Sequence, residues 1–165
     1  MRHPFPVVFL HGLESGPSGA KVDELTADFG SENISVPDCR GVLELEERLK
    51  ICLAHIQEIG KPVFLVGSSF GGLIAGLIAT RHPELVTGMV LCAPALHRKE
   101  AAEIDLHHAG PVTVIHGEQD EIVPIQASYD FCRQFQAVRL VVVQDNHRLS
   151  GNSGLISQTA WDMNR

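Results

Sequence analysis

Six short apolar runs recur along the chain, each closed by glycine, proline or a polar turn, and helical spacing fills most of the gaps between them. The runs are Val7–Leu10, Ile34–Val36, Val63–Val66, a stretch within Leu85–Leu91, Val112–Ile115 and Val138–Val143. Between them, Ser18 is placed to cap a helix over Lys21–Phe29, which Gly30 stops. Leu45, Leu49, Cys52 and Ile56 fall on one helical face, with Glu46, Glu47, Lys50 and Gln57 off it. From Phe70 to Ala79 every residue is apolar or glycine, which predicts a helix buried on all sides. Further helices are expected near Ile125–Phe135 and over Leu155–Met163. Strands that are apolar throughout, alternating with helices, call for a parallel sheet covered on both faces. No repeat, low-complexity segment or linker interrupts the pattern. Residues 1–165 are therefore read as one α/β domain, within the size range of a single core.

Composition narrows the function classes. Thirteen Lys and Arg against twenty Asp and Glu leave a net charge of −7. Binding to nucleic acid or to an anionic membrane needs clustered cations, and the densest cluster here is Arg98-Lys99. Cys39, Cys52, Cys92 and Cys132 are widely spaced with no CxxC pair, the pattern of reduced thiols in a cytoplasmic protein. The opening MRHPFPVVFLHG is read as neither a signal peptide nor a membrane span.

In a doubly covered parallel sheet, ligands bind beyond the carboxyl ends of the strands. Four strand-end turns carry unusual residues. Gly67-Ser68-Ser69-Phe70-Gly71 fits G-x-S-x-G between a strand and a helix, where a tight turn would expose Ser69 as a nucleophile. Ser68 falls at the wrong place between the glycines and reads as a turn hydroxyl. A serine hydroxyl needs a base, and the base needs an orienting carboxylate. Gly117-Glu118-Gln119-Asp120-Glu121, after the fifth strand, offers three acids. Asp120 is favoured for its short side chain and loop position, with Glu118 and Glu121 competing. Asp145-Asn146-His147 follows the sixth strand and supplies His147 as base, with Asp145 read as a loop cap. The order Ser69, Asp120, His147 is one of the known triad orders. In the loop after the first strand, His11 braces the backbone and Gly12 permits close approach. The N–H groups of Leu13 and Phe70 are the expected oxyanion donors.

Taken together, His11-Gly12, the Ser69 turn, Asp120 within GEQDEIVP and His147 within DNHRL resemble the α/β-hydrolase superfamily. The resemblance spans nearly the whole chain. Within the superfamily, FLHGLESGPSGAK and GSSFGG are similar to the small bacterial esterases of the YqiA type. The resemblance implies a three-layer sandwich with a reduced, six-stranded parallel sheet in the order 2-1-3-4-5-6, lacking the opening hairpin of larger relatives. Where larger relatives insert a cap, this chain departs in having only Pro94 to Gly110, about one short helix, so a shallow, open pocket lined by Leu13, Phe70 and residues such as Leu96 is expected.

The expected activity is that of a serine carboxylesterase on small, short-acyl esters through Ser69, His147 and Asp120, with no metal or organic cofactor. A thioesterase or protein depalmitoylase would use the same triad, and a non-catalytic binding module on the same fold is the reading of another class. His97, His107, His108 and His116 lack ligand spacing and are read as ordinary histidines. Partners are limited to a small-molecule ester and to a second copy of the chain, which could cover the sheet edge at the second strand.

Overall fold

A computed structural model describes residues 5–165. The leader reading of the first residues rests in part on Met1–Pro4, which lie outside the described residues. The elements are β1 (Val7–Leu10), α1 (Ala20–Phe29), β2 (Ile34–Ser35), α2 (Leu45–Ile59), β3 (Val63–Ser68), α3 (Phe70–Arg81), β4 (Val86–Cys92), β5 (Val112–Gly117), α4 (Ile125–Cys132), β6 (Val138–Val143) and α5 (Ser153–Met163). All strand pairs are parallel and the sheet order is β2-β1-β3-β4-β5-β6, as expected.

The pleat divides the strand residues between two cores. Val8, Leu10, Leu65, Met89, Leu91 and Val114 join α2, α3 and α4 on one face. Val7, Phe9, Phe64, Val66, Val90 and Ile115 join α1 and α5 on the other. The central strands are buried on both faces, which is why they read as unbroken apolar runs. The wholly apolar α3 is buried from Phe70 to Ala79. On α2 the predicted stripe is buried, and the Glu44 carboxylate caps the helix by accepting from the N–H groups of Glu46 and Glu47 at 3.2 and 2.8 Å. Gly60 closes α2 in the left-handed region at φ 72°.

Several boundaries differ from the sequence reading. Ser18 does not cap α1: Gly19 occupies the cap at φ 142°, with no side-chain bond, and Ser18 is displaced into the preceding loop. Pro83 opens a 3₁₀ turn over Pro83–Leu85, so β4 begins at Val86. The fourth helix ends at Cys132, where Gln134 and Phe135 N–H groups bond three residues back and tighten the chain. Phe135 is still buried against Phe131. Between Pro94 and Gly110 the only helix is the 3₁₀ segment Lys99–Glu103, with Ile104 packed on Gly76 of α3.

All four cysteines are free and buried. Among the described residues, no helix is long and apolar enough to cross a membrane, and no cluster of His, Cys, Asp or Glu is arranged to hold a metal ion.

Candidate active site

The turn from β3 into α3 holds Ser69 at φ 55° and ψ −116°, a conformation that L residues rarely adopt. Hydrogen bonds maintain it. The Ser69 N–H donates to the Cys92 carbonyl at 2.9 Å, and its own carbonyl accepts from Gly72 and Ala95 at 2.9 and 3.0 Å. The glycines around it are needed for space. A Cβ on Gly67 would lie 2.6 Å from the Gly71 carbonyl oxygen, and one on Gly71 would collide with the carbonyl of Leu10. The turn is thereby pressed against the end of β1, beside the loop that follows it.

Three side chains from three strand ends meet at this turn. His147 Nε2 lies 3.0 Å from Ser69 Oγ, and its Nδ1 lies 2.8 Å from Asp120 Oδ2. A carboxylate only accepts, so Nδ1 carries the proton and Nε2 presents its lone pair to the serine hydroxyl. Asp120 Oδ1 accepts from the N–H groups of Ile122 and Val123 at 2.9 and 2.8 Å. Burial of the Asp120 carboxylate opposes its charge, but the Val123, His147 and Ile122 hydrogen bonds outweigh burial and hold it below the ordinary aspartate range. The competing acids Glu118 and Glu121 are exposed.

The loop bearing His147 is itself tied down. Asp145 Oδ2 accepts from Asn152 Nδ2 at 2.8 Å and Gly151 N–H at 3.0 Å, the capping role read from sequence. Lys21 Nζ of α1 donates to the Arg148 carbonyl at 2.6 Å.

The loop after β1 is braced from behind. His11 Nε2 accepts from the Cys39 N–H at 2.9 Å, so Nδ1 carries the proton and donates to the Gly12 carbonyl at 2.8 Å. That carbonyl and the Leu13 N–H belong to one planar peptide. Fixing the oxygen on His11 aims the N–H the other way. Burial lowers the His11 pKa and favours this neutral state. Among the described residues, the N–H groups of Leu13 and Phe70 have no acceptor.

Two buried residues were missed by the sequence reading. Arg48 of α2 is 1% exposed. Its guanidinium donates to the carbonyls of His11 and Cys39, both at 2.9 Å, and of Val42 at 3.0 Å. It also lies 5.4 Å from the Phe70 ring centroid. Among the described residues no carboxylate pairs with it. Burial lowers its pKa, yet an arginine stays charged in a protein. Its position three residues after Leu45, within the apolar stripe, was the available signal. His116, at the end of β5, is fully buried beside Asp120. Its position immediately before Gly117, at the turn that carries Asp120, was the signal.

The open cleft at Ser69 has a volume of about 690 Å³ and runs between the loop after β1 and the loop after β6. Leu13, Lys21, Ile122, His147 and Ser153 are among its walls. Leu13 lines it as expected; Phe70 and Leu96 do not. The Phe70 ring, 1% exposed, turns into the core between Arg48 and Arg98, and Leu96 is 8% exposed in the same cluster. Only the backbone of Phe70 is left to serve the site.

Residues 49–108, which include the Ser69 turn, match the family model described as serine aminopeptidase, S33. A pimeloyl-[acyl-carrier protein] methyl ester esterase from Yersinia enterocolitica is 33% identical over 91 residues, 51% of this chain and 34% of the relative. The match thus spans about a third of the length of that curated relative. Among solved structures, Est1E from Butyrivibrio proteoclasticus is similar with a TM-score of 0.79 and 19% identity, over 98% of this chain and 87% of that one. A hydrolase of the α/β superfamily from Xanthomonas campestris has a TM-score of 0.79 and 24% identity, over 96% of each chain. Mouse alpha/beta hydrolase domain-containing protein 10 has a TM-score of 0.80 and 20% identity, over 95% of this chain and 88% of that one. By its sheet order and its structural neighbours, the chain has the α/β-hydrolase fold.

Proposed function

We propose that the chain is a serine carboxylesterase acting on small, short-acyl esters. The observation that carries this reading is the hydrogen-bonded line from Ser69 through His147 to Asp120, opening on an uncapped cleft. Ser69 Oγ attacks the ester carbonyl while His147 Nε2 takes its proton, and Asp120 steadies the imidazolium. The N–H groups of Leu13 and Phe70 receive the oxyanion. Losing one such donor costs about 3 kcal/mol of transition-state stabilisation. The alcohol departs with the proton held by His147. Water then attacks the acyl-enzyme with His147 again as base, and Ser69 is restored.

Short acyl groups fit the walls of the cleft. Ser15, Ser18 and Ser150 line it among a few apolar residues, Leu13, Val22 and Ile122 among them. A long chain would leave most of its methylenes in water, and each buried CH₂ contributes only about 0.8 kcal/mol where it finds apolar contact.

A second reading, hydrolysis of a carrier-borne or peptide-borne thioester, is favoured by the open cleft. The Yersinia relative is named for a methyl ester on an acyl-carrier protein, which supports a carrier-borne substrate but not a thioester bond.

The test is labelling of wild type and Ser69→Ala by a fluorophosphonate, followed by p-nitrophenyl esters from acetate to palmitate. Labelling lost in the variant, with turnover greatest on short chains, is expected. Preference for long chains would move the thioester reading forward. A wild type that neither labels nor turns over would leave a binding module as the better account.

A further inference from the structure

We propose that His116 is a positioning residue for the catalytic acid: as a neutral imidazole backed by Ser128, it holds the Asp120 carboxylate and its loop in register with His147. The proposal rests on the serine-hydrolase reading of Ser69, His147 and Asp120.

His116 is fully buried, as is Ser128 of α4. His116 Nε2 lies 3.0 Å from the Val123 carbonyl oxygen and 3.0 Å from Asp120 Oδ2. Both neighbours only accept, so Nε2 carries a proton. His116 Nδ1 lies 2.7 Å from Ser128 Oγ, and with the ring proton on Nε2 the serine hydroxyl is the donor there. One tautomer satisfies every contact of the ring.

The consequence reaches the nucleophile. Asp120 Oδ2 is shared by two imidazoles, Nδ1 of His147 at 2.8 Å and Nε2 of His116 at 3.0 Å. Its other oxygen is held by the Ile122 and Val123 N–H groups. His116 bonds the carbonyl of that same Val123, so it anchors the loop that grips the carboxylate as well as bordering the carboxylate itself. During catalysis only one of the two imidazoles can usefully become cationic. Burial disfavours the charge on His116. His147, at the open cleft, is left to carry the proton from Ser69. A second cation on Asp120 would drain the field that stabilises the imidazolium of His147, and the buried geometry keeps His116 from becoming one.

Without the His116 donor the carboxylate and Val123 lose a common anchor, and the His147 ring loses its fixed orientation. Misplacement of a catalytic group on the ångström scale costs up to roughly a hundredfold in rate. His116→Phe keeps a planar ring but no donor. Gln places an amide N–H₂ near the position of Nε2 and serves as the rescue. Ser128→Ala removes the donor at Nδ1 and tests the outer link.

The experiment uses the whole chain. Wild type, His116→Phe, His116→Gln and Ser128→Ala are compared for p-nitrophenyl acetate kinetics, for the rate of fluorophosphonate labelling and for the low-field proton resonance of His147 Nδ1–H. His116→Phe is expected to lose kcat by roughly ten- to a hundredfold with KM within about twofold, to label more slowly by a like factor and to lose the low-field resonance. His116→Gln is expected to recover most of the rate and the resonance. Ser128→Ala is expected to lose kcat by several-fold in the same direction, which tests the proposal even where His116→Phe does not fold. Wild-type kcat and an unchanged resonance in folded His116→Phe, or in Ser128→Ala where His116→Phe does not fold, would overturn the proposal while labelling of Ser69 in the wild type upheld the hydrolase reading. Absence of labelling in the wild type would remove the reading and the proposal together.

Discussion

Ser69, Asp120 and His147 were legible as candidates because each sits at a strand end and the three occur in a known order. Leu13 was legible for a related reason, since its N–H follows a glycine in the loop after β1. Their immediate supports were harder to see. Arg48 reaches His11, Cys39 and Val42, and His116 reaches Asp120, Val123 and Ser128. Such contacts depend on which loops the fold brings together. Phe70 shows the converse: its position beside Ser69 suggested a pocket wall, but its ring turned inward onto Arg48. A buried guanidinium held by carbonyls and an aromatic ring, with no carboxylate paired to it among the described residues, is costly to make and costlier to unmake. Arg48→Met should therefore destabilise the chain by about 3 kcal/mol, because buried carbonyls lose their donor. Under the proposed mechanism it should lower kcat more than it raises KM, since the His11 carbonyl it holds belongs to the oxyanion loop. Urea unfolding and steady-state kinetics measure both. A variant of wild-type stability would show that water or a neighbour replaces the guanidinium without loss.

The elements were legible to the extent that they were long or buried. Unbroken apolar runs identified the central strands, and apolar runs or period-3.6 stripes the helices that cover them. The failures lie at boundaries, where one or two hydrogen bonds decide. Ser18 had the chemistry of a cap, but the backbone entered α1 through Gly19 instead. The run Ile34–Val36 formed a strand of only two residues, pairing solely with β1. So short an edge exposes few free N–H and C=O groups to a second copy. Two elements approach closely at Gly71, where the first turn of α3 meets the end of β1. Gly71→Ala should cost at least about 2 kcal/mol, since its Cβ would meet backbone that cannot turn aside as a side chain can. A urea midpoint lowered with an unchanged slope would record that loss; an unshifted midpoint would mean that β1 and α3 move apart freely.

For the molecule as a whole, acid should act through buried histidines. Burial lowers the pKa of His11 and of His116 in the folded state, so each stays neutral where its unfolded counterpart, near pH 6.5, takes up a proton. The unfolded chain then binds more protons, and stability falls as pH drops below that value. With both residues contributing, the slope should reach at most about 2.7 kcal/mol per pH unit between about pH 6.5 and their folded pKa values. Asp120, also lowered, contributes stability that is lost only in more acidic solution, as pH falls through its folded pKa. His116→Gln should remove up to half of the histidine slope, and a stability flat from about pH 7 to about pH 5 would contradict the assignment.

The strand that leads to His147 lies at an edge of the sheet. β6 pairs on one side only, with β5, and none of its residues is fully buried. Such a strand can open and close as a local unit while β1, β3 and β4 remain paired. Amide hydrogens from Val138 to Val143 should exchange with deuterium well before those of Val63 to Val66. Under the proposed mechanism, each opening would carry His147 away from Ser69, so catalysis would flicker off in a molecule that still counts as native by every average measure. The fraction of time spent competent, rather than the chemistry of the triad, would then set the ceiling on turnover as the temperature rises.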